Sequence, residues 1–344
     1  MTTIVGFDPG NSEATLIAGK NTCTIPSYIG SGSLDELRRI RGGAGRDGLE
    51  QGEYVLECDG RSLFVGALAL EQTRDASSAR GDVSRYWNGH TRRLLLTLAA
   101  AALPRAETSI RVVTGLPVQV WSKETVKQVQ QSLVGEHHFT LNGRQRGLTV
   151  EGCLVMMEGA GALAAHGLGT DVPQAVIDVG GRTTDLFWAL GQKPDISRCD
   201  GLPVGIEKAG DQLSAAVLLE YGRTLRRSEV RAQLRAYAND TAAPPLFADG
   251  SRLHLNGHVA SAIDAVADEI ATFVAQAWGE GERGKVAGEA ARVLLIGGGA
   301  YYVQRQLQHL IAHLDVPRHP ELANAQGCFA VGQQIPEVAW SKLR

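Results

Sequence analysis

Two short acidic, glycine-containing segments, one in each half of the chain, constrain its fold more than any other feature. They are Asp8-Pro9-Gly10-Asn11-Ser12 and Asp178-Val179-Gly180-Gly181-Arg182-Thr183-Thr184-Asp185. Short β-rich runs flank each one, Thr3 to Phe7 and Ala14 to Ile17 in the first case, Ala175 to Ile177 and Leu186 to Leu190 in the second. The pattern predicts strand, acidic turn, strand, twice over. Glycine admits positive φ and lets successive backbone N–H groups face an anion, while hydroxyls add donors and a carboxylate can hold a hydrated metal ion. A single turn of this kind reads equally well as an ordinary hairpin. Two that face each other could clamp one triphosphate.

A chain of 344 residues exceeds what one compact core usually holds, so about two domains are expected. The balance of 34 basic against 37 acidic residues, net −3, gives no global pull toward nucleic acid or membrane. Direct DNA binding is therefore not indicated and no membrane contact is expected. Cys23, Cys58, Cys153, Cys199 and Cys328 lie far apart, without the spacing of a zinc site or a disulfide framework, which fits a reducing cytoplasm. The opening Thr-Thr-Ile-Val-Gly-Phe-Asp lacks a basic n-region, and no run reaches about 18 apolar residues, so neither a signal peptide nor a membrane span is expected.

Between the two turns, strands alternate with helices, the mark of an α/β sheet. A glycine- and arginine-rich stretch from Ser31 to Gly48 reads as a loop, and Tyr54 to Ala67 as short strands. A buried helix is expected at His90 to Leu103 and a strand at Ser109 to Thr114. Then come a helix at Lys123 to Val134, a hairpin at Asn142-Gly143 and a strand at Leu148 to Met156. His137-His138 reads as a turn. In the second half, helices are expected at Glu207 to Tyr221, Ser228 to Tyr237, Val259 to Trp278 and Ala300 to Leu314, with a strand at Arg292 to Ile296. A further glycine-containing turn and a helix occupy Asn324 to Lys342.

The strand at Arg292 runs into Gly297-Gly298-Gly299 at a helix start, where a flat or anionic group could approach the backbone; tight strand–helix packing explains a triple glycine equally simply. Phosphoryl transfer from a nucleotide needs charge neutralisation, backbone donors and one polar group to orient the attacking water. Asp8 and Asp178 are the metal-side candidates, acting on Mg²⁺ through water. Glu158, after an apolar strand and before the small residues Gly159 to Ala165, is the candidate water-orienting group. A carboxylate there also suits a helix first turn.

Asp8-x-Gly10-Asn11, Glu158-Gly159, Asp178-x-Gly180-Gly181-x-Thr183, Gly297-Gly298-Gly299 and Asn324-Ala325-x-Gly327 resemble, in order, the phosphate-1, connect-1, phosphate-2, adenosine and connect-2 motifs of the actin/DnaK/sugar-kinase ATPase superfamily. Ile25-Pro26-Ser27, Phe64-Val65-Gly66 and Thr114-Gly115-Leu116-Pro117 further resemble the N-terminal domain of ParM/StbA-type plasmid-segregation proteins. The resemblance implies an actin-like, ribonuclease H-like fold of two domains, 1–168 with 325–344 returning to it and 169–324, around a nucleotide cleft. It implies ATP or GTP with Mg²⁺ as ligands. Gly10, Asn11, Ser12, Gly180, Gly181, Arg182 and Thr183 would hold the phosphates. Gly297, Gly298 and Gly299, with Asn324, would back the nucleoside, and Gly205, Glu207 and Lys208 would lie near the ribose or base.

One departure stands out. The family often carries a lysine seven residues after the first aspartate, and this chain has Thr15 there. Arg182 could replace that cation in part, and hydrolysis is expected to be slow or dependent on assembly. The leading expectation is an ATPase that self-associates into filaments and moves plasmid DNA through a DNA-bound adaptor. A small-molecule kinase and a chaperone-like ATPase share the fold and stay open as alternatives. His309 and His313, four apart, have a metal-ligand spacing but no partner nearby. The arginines from Arg223 to Arg235 read as a solvated face, and those around Arg38 as a mobile subdomain loop.

Overall fold

The computed structural model describes residues 2–41, 49–79, 81–169, 171–191, 193–278 and 288–343. The chain divides into two compact units, Met1–Gly167 together with Leu322–Arg344, and Leu168–Glu321.

The first unit is built, among the described residues, on a nine-stranded mixed sheet. Its strands are β1 (Thr3–Asp8), β2 (Glu13–Ala18), β3 (Asn21–Pro26), β4 (Ile29–Ser31), β5 (Tyr54–Cys58), β6 (Arg61–Val65), β7 (Ser109–Leu116), β8 (Gly135–Leu141) and β9 (Arg144–Met157), in the order β3-β2-β1-β7-β9-β8-β5-β6-β4. β1 pairs antiparallel with β2 on one side and parallel with β7 on the other, and β7 runs parallel to β9. The helix His90–Ala102 buries Leu94, Leu95 and Leu98 completely in the core that β1, β2 and β7 line. Each such leucine contributes about 1.5–3 kcal/mol.

Against β1 and β7 lies the helix Ala323–Gln334, which brings the end of the chain back to its beginning. The approach is close. A Cβ on Gly6 would strike the backbone of Ala325 and Phe329, and one on Gly327 would overlap the carbonyl of Gly161 in the helix Ala160–His166. Those two glycines are thus fixed by backbone contact rather than by turn geometry.

The second unit carries β10 (Pro173–Val179), β11 (Thr184–Leu190), β12 (Lys193–Pro194), β13 (Asp200–Leu202), a small ribbon of β14 (Phe247–Ala248) and β15 (Ser251–Arg252), then β16 (Arg292–Ile296) and β17 (Leu314–Asp315). The main order is β12-β11-β10-β16-β17, with β13 also on β11. The helices Glu207–Tyr221 and Asn256–Trp278 cover the sheet with Leu213, Val217, Val266, Ile270 and Val274. The plan of the first unit recurs. In each, an antiparallel hairpin (β1/β2 or β10/β11) sits beside two parallel strands (β7 and β9, or β16 and β17).

Four expectations need correction. Ser31 to Gly48 is not simply a loop: Leu34–Arg41 is a helix, started by a Ser33/Glu36 capping box in which Glu36 N–H donates to Ser33 Oγ and Ser33 N–H to Glu36 Oε2. Residues 42–48 lie outside the described residues, as do 279–287 of the polar loop before β16. His137 and His138 sit within β8, paired with Leu148 and Gly147 of β9, not in a turn. Gly327 lies inside a helix rather than a turn, because the helix crossing demands a residue without a side chain. Finally, the helix from Ala300 ends at Leu310, since Leu314 and Asp315 leave it to pair with β16. His313 therefore falls past the end of the helix that carries His309, and no group of three or more His, Cys, Asp or Glu side chains suited to a metal occurs among the described residues. Nor is any described helix long and apolar enough to cross a membrane.

Candidate functional site

In the first unit the sheet register gathers the sequence candidates at one edge. Phe7 is opposite Thr114, and Gly115 and Leu116 are opposite Met156 and Met157, so Asp8, Gly115 and Glu158 stand at the carboxyl ends of three adjacent parallel strands. Open α/β sheets bind ligands at that edge. Glu158 N–H donates to the Leu116 carbonyl at 2.8 Å. A Cβ on Gly115 would lie 3.2 Å from Glu158 Cγ, so glycine at 115 leaves room for the Glu158 side chain. Asn324 reaches back from the last long helix and accepts from Gly159 N–H at 3.2 Å, fixing the turn after Glu158. Burial, and then the nearby charges of Asp8 and Glu158, push the Cys328 thiol well up. Both carboxylates thus bear on the same helix.

The turn Gly10-Asn11-Ser12 is held from beneath. Ser27 Oγ donates to the Gly10 carbonyl at 2.6 Å and Ser27 N–H to the Ser12 carbonyl at 3.0 Å. Arg85, only 2% exposed, donates from Nη1 to Asn11 Oδ1 at 2.8 Å and from Nη2 to the Gly10 carbonyl at 3.2 Å. Sequence reasoning missed Arg85 altogether. Seventy-odd positions separate it from the turn, and it stands in a one-turn helix, Val83–Tyr86, that matches no motif. Beside it His90, buried, is held down to about 3 by burial first and then by the Arg85 charge, with the Ser27 backbone opposing. Thr15, opposite Asp8 across the hairpin, is 3% exposed and shares a 2.9 Å hydroxyl contact with Thr24.

The turn of the second unit is braced by backbone instead. Gly180 N–H closes it on the Thr183 carbonyl at 2.9 Å, and Ile206 and Glu207 N–H groups donate to the Gly180 and Gly181 carbonyls at 3.2 and 2.7 Å. Gly205 makes that contact possible, since a Cβ there would lie 2.5 Å from Arg182 N and the Gly180 carbonyl. Glu207 approaches Arg182 at 3.5 Å, and Lys208 pairs with Glu269 at 2.6 Å. Gly205, Glu207 and Lys208 therefore lie against the second turn or point to the neighbouring helix.

At the triple glycine, packing explains two residues of three. Gly297 has φ 86°, and a Cβ on it or on Gly299 would overlap Val179 at the end of β10. Gly298 is exposed and a Cβ added to it would meet nothing within 4 Å, so packing gives no reason for glycine there. The register sets Asp178 opposite Ile296 on β16, next to Gly297, and opposite Asp185 on β11. Asp178 and Asp185 are 6% and 2% exposed. Two buried carboxylates directly across a hairpin repel, a cost that hydrogen bonds, a cation or a proton can offset. Asp185 closes the second motif in the sequence, but only the strand register makes it the partner of Asp178.

Residues 6–161 match the model of the actin-like proteins' N-terminal domain, and residues 176–309 match that of the C-terminal domain of archaeal MreB-like actin homologues. No curated protein matches the chain in sequence. Among solved structures, an archaeal actin homologue in complex with ADP is 18% identical with a TM-score of 0.77, over 97% of this chain and 100% of that one. A ParM filament from Clostridium botulinum is 19% identical at 0.77, over 97% and 99%, and Bacillus thuringiensis ParM with ATP is 16% identical at 0.67, over 97% and 98%. At these identities the structures speak for the fold. Both halves thus match domain models of actin-like proteins, and along its length the chain has the actin-like fold shared by ParM and the archaeal actin homologues.

Proposed function

We propose that this protein is an actin-like nucleoside triphosphatase that binds ATP, or GTP, with Mg²⁺ in a cleft between its two units and assembles head to tail into filaments. The observation that carries this reading is the duplicated arrangement: each sheet ends its first hairpin strand in an acid-glycine turn, at the carboxyl edge of parallel strands. Nucleotide-bound neighbours of the same fold, and a filament among them, support it. Heterologous contacts repeated along one direction generate open filaments.

In this reading Gly10, Asn11 and Ser12 receive one side of the phosphate chain and Gly180, Gly181, Arg182 and Thr183 the other. Glu158, at the end of β9, accepts a proton from the attacking water and aims its oxygen at the terminal phosphorus. Gly298, free of packing demands, lets the nucleoside approach the backbone, with Gly205, Glu207, Lys208 and Asn324 shaping its surroundings. Asp8 and Asp178 act on the metal through its waters. A hard cation held by one or two carboxylates plus phosphates suits Mg²⁺, and the opposed pair Asp178 and Asp185 offers such oxygens without a full protein cage. When bound, Mg²⁺ supplies neutralisation of the phosphate charge. Segregation of plasmid DNA through a DNA-bound adaptor, in the cytoplasm, completes the proposal, and the free thiols of all five cysteines suit that compartment.

Phosphate release measured beside sedimentation, with MgATP and MgGTP over a range of protein concentrations, tests it. Turnover without pelleting at any concentration would remove the filament, and no turnover under any assembly condition would remove the ATPase.

A further inference from the structure

We propose that Arg85 is the positioning residue of the first phosphate turn: it turns both amide groups of Asn11 donor side outward and supplies the positive charge that Thr15 does not. The proposal rests on the nucleotide reading above and assigns a role inside it.

The chemistry follows from what a guanidinium can and cannot do. Arginine only donates, so the Asn11 side-chain atom it meets at 2.8 Å must be the carbonyl oxygen. The Asn11 Nδ2 donors are thereby directed away from Arg85. The same holds for the backbone. Arg85 and Ser27 Oγ together hold the Gly10 carbonyl inward. In a trans peptide the N–H of the next residue points opposite to that carbonyl, so the Asn11 N–H faces outward as well. Neither Asn11 donor has a partner among the described residues. Two donors on one half-exposed residue, aimed to the same side of a glycine turn, form an anion-binding concavity.

Charge adds to geometry. Arg85 has no carboxylate within ion-pair distance among the described residues; its neighbours are neutral oxygens, the Tyr86 ring at 5.2 Å and the neutral imidazole of His90. A buried charge without a counter-ion is expensive, and an anion drawn to the turn lowers that cost. Thr15, where the resemblance leads one to expect a lysine, bonds instead to Thr24, so the cation reaches the turn from a different element. Arg182, the earlier candidate for that replacement, has Glu207 beside it.

The test titrates the full chain with MgATP, MgADP and adenosine, and follows the melting temperature without ligand. Arg85→Met should weaken MgATP and MgADP about tenfold to a hundredfold, the worth of a charge-assisted hydrogen bond, and leave adenosine binding unchanged. Arg85→Lys, which keeps the charge but only one strand of the fork, should recover most of the loss. A purely structural role would weaken adenosine in the same proportion. A folded Arg85→Met protein with wild-type MgATP affinity, or an equal loss for adenosine, overturns the proposal. Should methionine prevent folding, Asn11→Ala on the half-exposed turn carries the test: a tenfold loss for MgATP with adenosine intact is expected, and unchanged MgATP affinity overturns it. If the wild-type chain binds neither MgATP nor MgADP, the nucleotide reading itself falls, a result distinguishable from selective failure of the variants.

Discussion

The first and second turns occupy the same place in two sheets of the same plan, yet what lies behind them has opposite charge. Behind Gly10-Asn11-Ser12 stands a buried guanidinium, and the residue across the hairpin from Asp8 is a neutral threonine. Across from Asp178 stands a second buried carboxylate, and the turn itself is held by main-chain donors from the start of the helix Glu207–Tyr221. The duplicated scaffold is thus specialised in its second layer, with a cation behind the first turn and a pair of carboxylates at the second. Neither specialisation alters the turn's own glycines.

If that contrast governs the chemistry, the two aspartates are unequal. Asp178→Asn should lower Mg²⁺-dependent phosphate release on the order of 10³-fold, whereas Asp8→Asn should lower it only about tenfold; equal losses, followed across a magnesium titration, would mean that both turns serve the metal alike. Next in size is the orientation of the attacking water in the proposed reaction. Glu158→Ala should slow hydrolysis by about 10² with MgADP affinity retained, and a single-turnover rate equal to wild type would strip Glu158 of that role.

Burial first, and then the cation behind the first turn, also leave a signature in pH. His90, held down to about 3 against an ordinary 6.5, stays neutral in the folded unit while the unfolded chain takes up a proton below 6.5. Its contribution is present above pH 6.5 and is lost as pH falls, at no more than about 1.4 kcal/mol per pH unit. Denaturant titrations from pH 6.5 down to 4 should therefore show a shallower fall for His90→Gln than for wild type. Identical slopes would mean that His90 titrates normally.

Smallest are the effects at the glycines of the second unit, and they separate packing from ligand approach. Gly205→Ala forces a methyl group onto the backbone of the second turn and should destabilise the protein by about 1–3 kcal/mol. Gly298→Ala meets nothing and should stay within about 0.5 kcal/mol of wild type in stability while weakening adenosine binding. If both variants melt alike, the open space at Gly298 is not a property of the folded chain.

Much of the fold could be read from the chain because its punctuation is local. Both hairpins, the Asn142-Gly143 turn and the strand leading to Gly297 announce themselves within a few residues. The capping box at Ser33 and Glu36 was equally local, but the arginines around it masked a short helix as a loop. Other features depend on distant partners. Gly327 could not be told from a turn glycine without knowing that Gly161 presses against it, and Leu314 leaves its helix only because β16 offers an edge. The site divides in the same way. Asp8, Glu158 and Asp178 lie in motifs, whereas Arg85 becomes visible only once the one-turn helix beneath the first turn is in place.

The return of the helix Ala323–Gln334 onto β1 has a consequence in time. That helix meets Gly6 through the backbone of Ala325 and Phe329 and meets Gly161 through Gly327, with the whole of Leu168–Glu321 inserted between Gly161 and the helix. On the ribosome, at about 5–20 residues per second, the inserted unit is fully synthesised while β1 still lacks its covering helix. The unit that the insertion interrupts is completed after it, and β1 must wait for the whole of Leu168–Glu321 before its helix arrives.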